Sequence, residues 1–119
     1  MIAQLDAAIP AEPRRPFSVL LEQVWAAMAF EGLQSFMPLW LDVAAGAARG
    51  LQPHREIAVN IAEGFLGWVT NRLETHPKSD PPALAATFMA CIEGLYLLKA
   101  MGLEALVEPA ATELSTRFR

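Results

Sequence analysis

The segment PALAATFMACIEGLYLLKAM, Pro82 to Met101, decides the fold. Its only charges are Glu93 and Lys99. At about 100° per residue, Leu84, Phe88, Ile92 and Leu95 line one side of a helix. Ala83, Ala86, Ala90, Gly94 and Leu97 line the opposite side. A helix that is apolar on both sides cannot be satisfied by one neighbour. The chain must therefore surround it with further helices.

The flanks supply them. Upstream lies the loop His76–Pro82, in which Asp80 is placed to cap the helix start. Before that, Pro53 opens the longest predicted helix, about Pro53 to Thr75. Its apolar residues, among them Ile57, Ile61, Phe65, Trp68, Val69 and Leu73, cover about half the circumference, which makes it the central helix. A helix starting near Pro38 and reaching Ala48 precedes it, closed by Gly50. Another covers about Phe17 to Phe30, with Phe17, Leu20, Leu21, Val24, Ala27 and Met28 on one face and Gly32 as its stop. Met1–Ile9 reads as a helical stub, and Pro10–Pro16 as a stiff polar surface connector. Downstream, Gly102 ends the diagnostic helix. A last helix spans about Leu106 to Phe118, with Pro109 in its first turn and Leu103–Glu108 as a lead-in. Sixteen leucines and twenty-one alanines against eleven valines and isoleucines favour helix throughout. The expected fold is all-α: an antiparallel bundle of five helices plus an N-terminal stub. Residues 1–16 are expected to be the stub and its linker, and residues 17–119 the domain proper.

Composition narrows the function. A chain of 119 residues is one domain by length, and a 54% hydrophobic fraction excludes a disordered chain. A net charge of −4 lacks the basic footprint of a nucleic-acid binder. The longest uncharged run, Pro81 to Ile92, falls short of the about 20 apolar residues a spanning helix needs, so no membrane segment is expected. Met1–Pro10 lacks the basic start of a signal peptide. With a single cysteine, Cys91, the expected location is cytoplasmic.

No residue pattern predicts catalysis, and no cofactor is expected. His54 and His76 stand beside prolines with no acid or thiol at ligand spacing. The serines lack a nucleophile context, and Glu56 and Glu63 read as a solvated face. Glu93 stands out as a carboxylate in an apolar helix. It can sit at a dimer rim near Arg117, in a pocket, or simply reach water. The small-residue face of the diagnostic helix also needs cover. Two copies pairing their last two helices would supply it, through Ala86, Ala90, Gly94, Leu97, Val107, Ala110 and Leu114. Aromatic and methionine side chains suit an apolar ligand pocket. Trp25, Met28, Phe36, Trp40, Phe65, Trp68, Phe88, Met89 and Tyr96 are the candidates, with Cys91 and Ile92 beside Phe88. Thr87, Tyr96, Asn60 and Glu93 are the available polar handles.

Pro38–Gly50 (PLWLDVAAGAARG), Ile61–Trp68 (IAEGFLGW) and Ile92–Leu98 (IEGLYLL), in that order, resemble the C-terminal domain of TetR-type transcriptional regulators over nearly the whole chain. The resemblance implies an all-helical domain that dimerises through its last two long helices and encloses a pocket for a small effector. Effector binding in that family alters the spacing of two N-terminal DNA-binding domains. This sequence departs from the pattern in that no helix-turn-helix is read ahead of the stub, and the resemblance implies that residues 1–16 correspond at most to the end of the connecting helix and a linker. The expectation is therefore a homodimeric, non-enzymatic repressor domain that senses a hydrophobic small molecule and does not itself bind DNA. A ligand-free homodimeric interaction module is the alternative.

Overall fold

The computed structural model describes residues 1–118. Among them are six helices and no strand: α1 Ile2–Ala8, α2 Phe17–Ala27, α3 Glu31–Ala48, α4 His54–Thr70, α5 Pro81–Ala100 and α6 Glu104–Arg117. α4 packs on α3, α5 and α1, and α5 also meets α2 and α6. α4 thus has neighbours on several sides, whereas α5 is covered on one side and left open on the other, contrary to the expectation that it would be surrounded. Asp80 caps α5 as expected, its side chain accepting the Ala83 N–H at 3.1 Å ahead of two first-turn prolines.

Two helix starts differ from expectation, both at prolines. α3 begins at Glu31, so Pro38 lies inside it and Gly32 lies in its first turn rather than ending α2. Pro38 lacks the N–H that would reach the Gln34 carbonyl. Both residues are exposed, so water can meet that carbonyl and the break costs less than in a core. α6 likewise starts at Glu104, with Pro109 inside it, so the expected lead-in is already helical. α4 is shorter than its pattern, ending at Thr70. The chain beyond it turns away to pair with the connector: Arg15 N–H donates to Arg72 O and Glu74 N–H to Arg15 O, both at 2.9 Å.

The connector lies on the surface as expected except at Arg15, which with Leu5 and Ile9 anchors residues 1–16 to the bundle. Leu5 and Ile9 are each 2% exposed, in the same core as Leu20, Val69 and Phe88. Arg15 is buried, donating to Gln23 and to the Pro10 and Pro13 carbonyls. Arg72 is buried too, under the end of α1. Its guanidinium donates to Ile9 O at 3.0 Å, Trp68 O at 3.2 Å and Asp6 Oδ1 at 2.7 Å, and lies 4.1 Å from the Trp68 ring centre. Asp6 also accepts the Trp68 indole N–H at 2.8 Å. Burial lowers the Arg72 pKa and the Asp6 charge opposes that fall.

α5 has a mean hydropathy of 1.4 over an eighteen-residue window with at most two charges. By length and composition it is sufficient to cross a membrane, contrary to the expectation from uncharged run length. In the fold, Ala85, Phe88, Ile92 and Leu95 face inward. Ala83, Thr87, Ala90, Gly94, Leu97 and Met101 lie exposed along the other side.

Candidate functional site

A cavity of about 30 Å³ lies between α1, α2, α3, α4 and α5. Apolar patterning converges there. Leu5 comes from α1, Val24 from α2, Leu33 from α3, Ile61 from α4 and Ile92 from α5. Methionines close it on several sides, namely Met1, Met28, Met37 and Met89. Their unbranched side chains fill irregular gaps and repack readily. The aromatic walls are Phe36, Trp40 and Phe65. The volume suffices for one or two waters.

Among the described residues Glu93 is the only acidic side chain on this wall. Trp40, 7% exposed, donates its indole N–H to Glu93 Oε2 at 2.8 Å, tying α3 to α5. Burial raises the Glu93 carboxyl above the usual glutamate range, and the Trp40 hydrogen bond partly offsets this. Among the described residues the ion pairs are Arg72–Asp6 and Arg117–Glu113, so Glu93 has no cationic partner. Of the three places the sequence leaves open for Glu93, the structure puts it on the pocket wall, with Oε1 still open to water. Arg117 pairs within its own helix.

A carboxyl raised in the fold holds its proton to higher pH than the unfolded chain does. Between the unfolded value, about 4.3, and the folded value, the native state binds more protons. Stability therefore falls as pH rises through that interval and levels off above it. Glu93→Gln keeps an acceptor for Trp40 and removes the charge. Denaturant midpoints measured from pH 4 to pH 7.5 should show the variant matching wild type at the acid end and exceeding it at neutral pH. A wild type that gains on the variant as pH rises would contradict this.

The pocket expected from sequence is half right in its residues. Met28, Phe36, Trp40, Phe65, Met89 and Ile92 line the cavity. Trp68 does not: it packs beneath Arg72 and binds Asp6. Phe88 is fully enclosed elsewhere in the core, edge-on to Phe17 at 5.2 Å. Trp25 faces the outer grooves toward α5 and α6, with Lys99 Nζ 5.8 Å from its ring centre. Cys91 packs against the core outside the cavity, and burial raises its thiol pKa, so it is not a reactive thiolate. Of the polar handles only Glu93 reaches the cavity. Thr87 is exposed and bonded to Ala83 O, Asn60 is exposed, and Tyr96 lines an outer groove. Met1, Leu5, Val24, Leu33, Met37 and Ile61 complete the wall without having been assigned to it. Their helical spacing reads as ordinary core, and only the packing of α1 onto the bundle makes them a chamber.

The expected partner surface divides in the same way. Ala86, Ala90, Gly94 and Leu97 of α5 are exposed. Val107 is buried at 9%, Leu114 packs on the core, and Ala110 is half-buried, so the α6 stripe faces into its own bundle. The cause is α2. α6 crosses it, Phe118 stacks on Phe17 at 4.5 Å, and Ser18 N–H donates to Phe118 O. The exposed apolar residues nearest α5 are instead Met101, Leu103 and Leu106, around the α5–α6 corner.

Comparison with protein-family models, curated proteins and solved structures returned no match.

Proposed function

We propose that this chain is a ligand-sensing and dimerisation domain of the TetR type. The observation that carries the reading is the cavity whose lid is α1. Leu5 belongs both to that helix and to the wall, so an occupant larger than the resting volume must displace the lid or the methionines. A ligand that favours the displaced arrangement shifts the population toward it. The resemblance assigns α1 to the helix that connects to a reader, which makes lid movement the transmitted signal. The second reading, a ligand-free helical dimer, draws support from the small size of the cavity.

Both readings include a second copy of the chain. The bare side of α5 supports this, together with the apolar α5–α6 corner. Thermal denaturation of the full chain against a panel of apolar compounds separates the two readings. A compound that raises Tm supports the sensor, and none doing so supports the module.

Gly94 offers a clean test of the pairing surface. A Cβ placed there meets nothing within 4 Å in the monomer. Gly94→Arg should therefore leave helicity and Tm of the monomer intact or improved by up to about 1 kcal/mol. The same change should convert the dimer to monomer in native mass spectrometry at micromolar concentration. An unchanged dimer would place the interface elsewhere.

A further inference from the structure

The cavity wall is not fastened equally all round. Leu33, Phe36 and Met37 come from the first two turns of α3, residues 31–37. That stretch lies between two weak points. At its start the N-cap residue is Phe30, which gives the first-turn amides no side-chain acceptor. At its end Pro38 leaves the Gln34 carbonyl without its helical donor, and the ring crowds that carbonyl. Gly32 and Ser35 within it are poorer helix formers than alanine. Two turns of such a sequence are marginal as a helix unless packing supports them.

The rest of α3 is held differently. Trp40, two residues beyond Pro38, is tied to Glu93 of α5. Further along, Gly46 lies so close to α4 that a Cβ there would run into the His54 ring. Among the described residues no side-chain hydrogen bond or ion pair ties residues 31–37 to another helix. What holds them is the burial of Leu33 and Met37, with Phe36 half-buried beside them.

We propose that residues 31–37 are a gate to the cavity: these two turns unwind between Phe30 and Pro38 while the rest of α3 stays on α4 and α5. The opening is a motion of the fold itself and needs no ligand, so its test is separate from that of the sensing role.

Amide hydrogen exchange of the full chain, read residue by residue by NMR, tests the gate. Amides of residues 34–37 should exchange about tenfold or more faster than those of residues 43–48 in the same helix, through openings that denaturant barely accelerates. Pro38→Ala restores the missing bond and should slow residues 34–37 about tenfold or more. Phe30→Asp, at an exposed position with extended backbone, supplies a cap and should slow them about threefold or more. Met37 lines the cavity and is 5% exposed, so dilute peroxide should oxidise it in proportion to the open population. Pro38→Ala should slow that oxidation in step with the exchange, while exposed Met101 oxidises as in wild type. Residues 34–37 that exchange only with global unfolding would overturn the gate, as would unchanged exchange in Pro38→Ala. Met37 oxidation unaltered by Pro38→Ala would overturn its link to the cavity.

Discussion

Replacing Phe88 with alanine is expected to lower unfolding free energy by about 3–5 kcal/mol. The side chain is 0% exposed. It sits edge-on to Phe17 at 5.2 Å and 6.3 Å from Phe65, and Phe17 in turn stacks on Phe118. One ring thus joins α5 to α2 and α4, and through Phe17 to the end of α6. Neighbours held by helices on several sides cannot all move into the space left behind, so a void remains and its cost adds to the lost burial. Against a total of about 5–15 kcal/mol for a domain of this kind, the variant should be largely unfolded in mild denaturant. Urea titration by circular dichroism gives the measurement. A loss below about 1.5 kcal/mol would mean that the core collapses around the site.

The second large effect is expected at Arg72. Its guanidinium satisfies the Ile9 and Trp68 carbonyls and the Asp6 carboxylate from a buried position. Hydrogen bonds to charged groups are worth about 1.5–3 kcal/mol, and partners left buried add their own desolvation cost. Asp6 is exposed enough to recover water, which limits the total. Arg72→Ala should cost about 2–4 kcal/mol. Its local signature should be loss of amide hydrogen-exchange protection at Leu5 and Ile9, as α1 loosens before the rest of the bundle unfolds. Arg72→Lys should rescue little, because an ammonium cannot reproduce a planar fork that reaches three acceptors. Full protection of α1 in the alanine variant would show that Leu5 and Ile9 alone hold it.

The helical class was legible because the apolar spacing of the middle of the chain admits no strand reading. Asp80 followed by two prolines fixed one helix start to within a residue. The errors fell where local rules compete. Pro38 and Pro109 normally mark helix starts, but each lies within a helix already begun several residues earlier. The pocket residues were partly legible. Trp40 and Phe65 share a chamber, yet Trp68, one turn from Phe65, meets Arg72 instead. Periodicity gives the inward face of a helix and not the neighbour it meets. The roles of Arg15 and Arg72 were invisible for a related reason. Each is buried by partners more than fifty residues away or across a proline-rich turn, and nothing local distinguishes them from surface arginines.

The resting size of the cavity bears on rates as well as on affinity. A chamber that holds one or two waters admits a larger molecule only during moments when α1 or the methionine walls have moved. Entry then cannot outrun that opening. In a stopped-flow experiment the observed binding rate would rise with ligand concentration and then reach a plateau. The plateau would be a property of the protein, equal for ligands of different structure, and Arg72→Ala would raise it by loosening the lid.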